Sequence, residues 1–290
     1  MKSTKLLILC ALVAIVMSSC NKTNPYNTSH PDHGKIEFVA DWSELKEEGI
    51  DIPEKYTIYA DGETSTISTN ENIFPTLIEP GKRSILIYST TEKITLAPGN
   101  SIAEVSMNDG IINGSIGRLY TALLKDVLIE PDKVLKVEGK MESQVRKLVI
   151  ILNVKDVSSS NVAIDDKTAV LTGIASKWNY ETNTAVYESK VRPEFKVYNE
   201  NEFRASIELL GVVPESAQKL SFGLIYSDKW GEKKEIKIDI DLTEYMKSFN
   251  DNKSTPLVLK CNVLEVNGGI AEWEIGEVEN GSYVILWSDD

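Results

Sequence analysis

The chain has 290 residues, and its 31 basic and 44 acidic residues give a formal net charge of −13 at pH 7. A protein of this charge is repelled by nucleic-acid phosphates and by anionic lipid headgroups, which argues against either as a partner held by charge. Residues 20–290 are long enough for one large domain or two ordinary ones.

The first 19 residues predict a signal peptide. Lys2 and Lys5 precede the apolar run 6–17, which is too short to cross a bilayer comfortably. Ser18-Ser19-Cys20 follows, and small residues before a cysteine are similar to the bacterial lipobox, in the looser form found in Bacteroidetes. The pattern predicts cleavage before Cys20 and acylation of that cysteine. The alternative is an ordinary signal peptide, in which Cys20 has no role.

A flexible tether is predicted for residues 20–34, because this stretch is polar and carries two prolines and a glycine. Such a segment has no core of its own. It would let the folded part stand away from the membrane.

Nearly all of the remaining chain predicts β-strands. Apolar and polar residues alternate most clearly at 203–209, 220–226, 236–242 and 257–263, while the continuous apolar run 148–152 indicates a strand buried on both faces. Residues 43–49 and 243–249 are the only short helix candidates, although 119–124 could also be helical. We therefore predict an all-β protein of antiparallel sandwiches. Cys261, within the last alternating stretch, is expected to be a buried small hydrophobe.

A division into two β-sandwich domains is predicted near residue 140. Around residues 130–139 the charge rises and the apolar period breaks. This gives an N-terminal domain at 35–140 and a C-terminal domain at 141–290.

No catalytic residue, metal site or cofactor is predicted, apart from the covalent lipid on Cys20. Both histidines, His30 and His33, lie in the tether, so the folded body lacks the histidine that triad hydrolases and most zinc enzymes need. Acidic pairs such as Asp165-Asp166 are expected by chance in a chain with 44 acids.

Two aromatic features could bind partners. Of the five tryptophans, Trp178 and Trp230 flank turn-like segments and are the best candidates for an exposed sugar-binding platform, although most tryptophans fill cores. Near the chain end lies an apolar run that is either the last core strand or a strand donated to another subunit. It consists of Tyr283, Val284, Ile285, Leu286 and Trp287.

Several short motifs resemble a known family. The stretch 33–38 leads to Asp41-Trp42-Ser43, and Ile52-Pro53 precedes the strand 56–59; later, 141–152 is followed by 169–176. These features resemble the FimB-like fimbrial anchor and minor-subunit lipoproteins of Bacteroidetes.

The resemblance implies two tandem transthyretin-like sandwiches on a lipoprotein of the outer membrane, exposed at the cell surface. Its expected partners are fimbrial shaft subunits, joined through strand complementation, in which one chain's strand completes another's sheet. Shaft precursors of such systems are cut after an arginine near the first strand, which frees them from lipid. Here no arginine occurs between Cys20 and Arg83, so we infer that this chain keeps its lipid.

Two other functions stay open on the sequence alone. A surface glycan-binding lipoprotein would also have tandem β domains and a tether. A carboxylate-based enzyme would need two acids facing each other in a cleft.

Overall fold

The computed structural model describes residues 32–47, 51–68, 73–155, 160–227, 230–266 and 269–280. Within them the chain forms nineteen strands in four sheets, with one short α-helix, α1 (Ser43–Glu47), and one turn of 3₁₀ helix at Pro98–Asn100. The prediction of an all-β sandwich protein is confirmed.

The first unit packs a five-stranded sheet, in the order β10-β8-β4-β2-β3, against the parallel pair β1-β9. The side chains between them form one core, with Ile36 and Phe38 from β1 facing Ile58 and Ile87 of the sheet. The strands of this unit are β1 (Lys35–Asp41), β2 (Lys55–Ala60), β3 (Glu63–Ser68), β4 (Gly81–Thr90), β8 (Leu119–Ile129), β9 (Val134–Lys140) and β10 (Glu142–Ser143).

The second unit packs two larger sheets on each other. One has the order β14-β15-β11-β18-β19, and its strands are β11 (Arg146–Lys155), β14 (Lys196–Asn199), β15 (Glu202–Leu209), β18 (Leu257–Val266) and β19 (Gly269–Asn280). The other has the order β17-β16-β12-β13-β7, with β6 also pairing β12 and β5 pairing β6. Its strands are β5 (Ile94–Ala97), β6 (Ile102–Val105), β7 (Ile111–Asn113), β12 (Ser160–Asn179), β13 (Thr184–Arg192), β16 (Lys219–Ser227) and β17 (Lys233–Asp241).

Strand β11 lies in the middle of its sheet and is buried on both faces, as its continuous apolar run predicts. It pairs antiparallel with β15 and parallel with β18. Leu148, Ile150 and Leu152 enter the second core, whereas Val149 and Ile151 form a small separate cluster with Val258.

The three short strands β5, β6 and β7 cross from the first half of the chain into the second unit. Ala103 of β6 pairs with Trp178 of β12, and Ile112 of β7 pairs with Val191 of β13. Ala103 and Ile112 are also members of the second core. A division of the chain at residue 140 therefore omits a segment that lies before residue 140 and completes the second unit.

The two units also share a buried contact through the five-stranded sheet. In β4, Ile85 and Ile87 enter the first core, whereas Leu86 between them enters the second. Tyr59 and Leu123 of the same sheet pack against the second core.

Two segments that could be helical by sequence do not form an α-helix in the structure. Residues 119–124 begin strand β8, and their continuous apolar run arises because both faces of the strand are buried at this end. Residues 243–249 form consecutive turns, closed by hydrogen bonds from the Tyr245 amide to the Leu242 carbonyl and from the Phe249 amide to the Met246 carbonyl. The expected helix near residue 43 is present as α1.

The crossing of β5–β7 predicts how a mutation before residue 140 will act. Val105 of β6 is 1% exposed in the second core, so Val105→Asp would bury an unpaired charge. We expect it to lower the free energy of unfolding by about 3 kcal/mol or more. Hydrogen exchange should show that amides of β12 and β16 lose protection, while those of β2 and β3 keep it.

The matched control is Val186→Asp, because Val186 is 44% exposed in β13 of the same sheet. It should change stability by no more than ~0.5 kcal/mol. Loss of protection in β2 and β3 instead of β12 would contradict the assignment of β6 to the second core.

Candidate assembly strands and surface aromatic residues

Strand β1, the first described strand after the predicted tether, is bonded along both of its edges. On one edge it pairs in parallel with β9 through seven residue pairs, from Lys35↔Val134 to Asp41↔Lys140. On the other edge, the Gly34 amide donates to the Ile78 carbonyl at 2.8 Å, and the Phe74 amide donates to the Ile36 carbonyl at 3.1 Å. The strand is therefore an integral part of the first sandwich.

The side chains of β1 also fill the first core. Ile36 and Phe38 are both 0% exposed, and Phe38 meets Phe74 edge-on at 6.1 Å between ring centroids. Burying each side chain stabilises the fold by roughly 1.5–3 kcal/mol. Losing β1 would open a long apolar groove in the first unit.

The start of β1 depends on a close approach that only glycine allows. A Cβ atom at Gly34 would lie 2.4 Å from Cγ2 of Ile129 and 2.8 Å from the carbonyl oxygen of Glu130. Gly34 therefore lets the chain entering β1 pass directly over the end of β8.

At the other end of the described chain, β18 and β19 form the last hairpin. β18 lies between β11 and β19, and its pairing with β19 runs from Val266↔Gly269 to Leu257↔Asn280. The predicted donor residues 283–287 and the predicted lipidation site Cys20 both lie outside the described residues.

Cys261 of β18 is a buried thiol, as expected from its apolar surroundings. It is 0% exposed and unbonded to another cysteine. Burial raises the pKa of the Cys261 thiol to about 12, so it stays protonated and unreactive at neutral pH.

The prediction that Trp178 belongs to an exposed platform is wrong. Trp178 is 0% exposed, because β12 continues through Asn179 and turns its indole into the second core. The turn-like residues 180–183 follow the strand, so Trp178 lies on the strand side of the boundary. The guanidinium carbon of Arg146 lies 4.2 Å from the Trp178 ring centroid.

Arg146, which the sequence analysis did not single out, joins several loops at one point. It is 1% exposed and donates to the carbonyl oxygens of Asn250, at 3.0 and 2.9 Å, and Gln144, at 3.2 Å. It also donates to the Leu210 carbonyl and to Oδ1 of Asn183. Burial lowers the pKa of Arg146 to about 10, which still leaves it charged at neutral pH. The signal that the sequence offers for this role is a charged residue close to the apolar run 148–152.

The described exposed aromatic residues are Trp230 and three tyrosines. Trp230 is 75% exposed, as predicted. Tyr187 and Tyr198 are 60% and 56% exposed, and each is paired with a cation: Lys177 lies 5.3 Å from the Tyr187 ring centroid, and Arg204 lies 3.4 Å from that of Tyr198. Tyr245 is 38% exposed.

The acidic pair Asp165-Asp166 serves local structure. Asp165 accepts a hydrogen bond from the Lys167 amide at 3.1 Å, and Asp166 accepts one from the Phe195 amide at 3.3 Å. Among the described residues, no group of three or more histidine, cysteine or acidic side chains is placed to hold a metal ion. Neither short helix there has the length and apolarity that crossing a membrane requires.

Solved structures share this fold at low sequence identity. The fimbrial anchor protein Mfa2 from Porphyromonas gingivalis matches with a TM-score of 0.52 and 13% identity, over 86% of this chain and 99% of that chain. A candidate adhesin from Bacteroides ovatus matches with a TM-score of 0.55 and 17% identity, over 90% and 98%. A candidate polysaccharide-binding protein from Bacteroides thetaiotaomicron matches with a TM-score of 0.52 and 11% identity, over 86% and 98%.

Comparison with curated protein sequences found no match. A family model, described as fimbrillin-A associated anchor proteins Mfa1 and Mfa2, matches residues 54–275, which is more than half of the chain. The match begins just before β2 and ends within β19, so it spans both units. The resemblance to fimbrial anchors is thus confirmed, and the chain belongs to the Mfa2 family of fimbrillin-A associated anchor proteins.

Proposed function

We propose that this protein is a lipoprotein of the outer membrane that acts as the anchor or a minor subunit of a fimbrium and joins pilins by strand complementation. The observation that carries the proposal is the state of β1, which is bonded on both edges and fills the first core. A subunit that keeps this strand stays joined to Cys20 as long as residues 21–34, which precede the strand, are not cut. Membership of an anchor family supports the same role.

The positions of the arginines support retention of the lipid. The five arginines are Arg83, Arg118, Arg146, Arg192 and Arg204, so none precedes β4. Four lie within strands, and Arg118 directly precedes β8. An arginine-specific protease would find no site in the tether or beside β1.

The strand proposed for complementation lies at the end of the chain, after β19. β19 lies at the edge of the β14-β15-β11-β18-β19 sheet and pairs with β18 as far as Asn280. The apolar run 283–287 follows in the sequence, and we propose that it completes the sheet of another subunit. The role of this tail as donor is part of the proposal.

A second candidate function is glycan binding at the cell surface. It is favoured by the exposed rings of Trp230, Tyr187 and Tyr198, since the apolar face of a sugar stacks on aromatic rings. The structural match to a candidate polysaccharide-binding protein supports the same reading.

The anchoring role predicts the effect of Cys20→Ser. The variant should be exported without lipid and leave the outer membrane for the medium, because no other membrane attachment is proposed. Pull-down of the wild-type protein from detergent-solubilised membranes should recover pilins, and cells carrying Cys20→Ser should shed fimbriae. Cys261→Ser is the matched control and should stay on the membrane. Wild-type protein that carries no acyl group, or that recovers no pilin, would contradict the proposal.

Retention of β1 predicts resistance to arginine-specific proteolysis. Native protein should keep its N-terminus and its lipid, as mass spectrometry would record, whereas the denatured chain should be cut after its five arginines. Ser29→Arg, in the predicted tether, supplies a positive control, since a cut there should free the body from the membrane. The idea fails if the protease releases the lipid or β1 from the native wild-type protein.

The donor role of the tail predicts the effect of deleting residues 282–290. The truncated protein should remain a folded monomer by circular dichroism and size-exclusion chromatography, yet recover no pilin in the pull-down. Deletion of Ser288, Asp289 and Asp290 alone is the control, because it spares the apolar run, and it should still recover pilin. Unfolding of the 282–290 deletion would instead make the tail a core strand of this chain.

A further inference from the structure

We propose that the outer face of the β14-β15-β11 sheet binds carbohydrate at the Tyr198 surface, which is formed by Tyr198, Arg204, Lys147, Lys196, Glu194 and Glu208. The inference rests on the second candidate function, glycan binding, and is independent of fimbrial anchoring. It locates glycan binding at a tyrosine, away from Trp178 and Trp230.

Tyr198 is presented outward by a local irregularity of β14. The register between β14 and β15 shifts between Val197↔Phe203 and Asn199↔Glu202, and Tyr198 lies at this shift. Such irregularities re-aim a side chain relative to the sheet. The residue is 56% exposed even though Arg204 covers one face of its ring at 3.4 Å. More than half of the residue is therefore accessible to a ligand.

The ring is also held in one orientation before any ligand arrives. Arg204 forms a hydrogen bond and ion pair through Nε with Oε1 of Glu202, and both of these side chains are less than a fifth exposed. Arg204 is thus fixed between Glu202 and the tyrosine ring. A preorganised ring loses little conformational freedom when a sugar stacks on it.

A groove of about 320 Å³ adjoins this tyrosine-arginine stack. Its walls carry the cations Lys147, Lys196 and Arg204 and the anions Glu194 and Glu208. Glu208 is held in place by a hydrogen bond from the Ser115 hydroxyl. Charged groups of both signs suit a ligand with many hydroxyls, because each hydroxyl both donates and accepts. An apolar ligand would desolvate these charges without replacing their hydrogen bonds.

A partner strand is a poorer occupant of the same surface. β14 has only four residues, contains the register shift and begins with Lys196. Short length, irregular register and edge lysines are the features by which sheets discourage strand addition. The exposed ring and the charged groove remain, and their chemistry fits a sugar.

The test uses the complete mature protein in detergent and three probes: cellohexaose, N-acetylchitohexaose and a hyaluronan hexasaccharide. Saturation-transfer NMR should detect binding of at least one probe, with the strongest transfer to its ring C–H protons. Tyr198→Ala should weaken that binding about tenfold, and Tyr198→Phe should retain it because stacking needs only the ring. Tyr187→Ala is the matched control, since Tyr187 has similar exposure and a cation neighbour, and neither Tyr187 nor that neighbour, Lys177, lines this groove. It should bind as the wild type does.

Three results would overturn the inference. These are no binding of any probe, equal binding by Tyr198→Ala and wild type, or equal loss in Tyr187→Ala. Pilin recovery by Tyr198→Ala should match the wild type, and a loss confined to pilin recovery would make this surface a protein contact instead. Failure of sugar binding with normal pilin recovery would leave the anchor proposal standing, so the two can be told apart.

Discussion

The middle of the first unit's five-stranded sheet packs against both cores, and the arrangement of the whole chain depends on this. Ile85 and Ile87 of β4 point to one core and Leu86 points to the other, so three successive residues belong to two cores. Each buried side chain contributes roughly 1.5–3 kcal/mol, and exposing either face would forfeit that contribution. The two units are therefore stacked layers that share a sheet. For a protein proposed to link a membrane to a fimbrium, this means that a pull on one unit is borne by packed sheets rather than by a linker.

The crossing segment β5–β7 strengthens the same junction, and local sequence patterns could not reveal this crossing. Residue 140 is a reasonable local boundary, because β9 ends there and β11 begins shortly after it. β6 nevertheless pairs with a stretch of β12 that lies more than seventy residues further along the chain. Local charge and apolar period carry no information about pairing at that separation. Arg146 also connects separate segments of the chain, since its guanidinium donates hydrogen bonds to Gln144, Asn250 and Asn183.

Local patterns were informative where one face of a strand meets water, and uninformative where both faces are covered. Residues 202–209 alternate strictly between intermediate and buried, as predicted, and Cys261 is buried as expected. The start of β8 lost its alternation because its first four residues are all buried, which left a helix as an open alternative. Trp178 was misjudged for a related reason: its neighbours resemble a turn, yet the strand extends one residue beyond it. No sequence pattern indicated that Tyr198 would be exposed, since its exposure follows from a register shift between β14 and β15.

A protease could act near β1 in two ways. The positions of the basic residues decide whether each cut can occur, and the bonding of β1 decides whether the strand leaves afterwards. A cut before β1 would separate the body from the proposed lipid, whereas a cut between β1 and β2 would be needed for the strand itself to leave its core. Residues 21–34 contain Lys22, and residues 42–54 contain Lys46, but neither stretch contains an arginine. A lysine-specific protease therefore has a site on each side of β1, and an arginine-specific one has none. Even after a cut, β1 would stay in place until its pairing with β9 and its bonds to Ile78 and Phe74 were broken, and until Ile36 and Phe38 left the core. Retention of the strand thus has two independent physical causes, one in the absence of a cleavage site and one in the hydrogen bonds and packing that hold the strand.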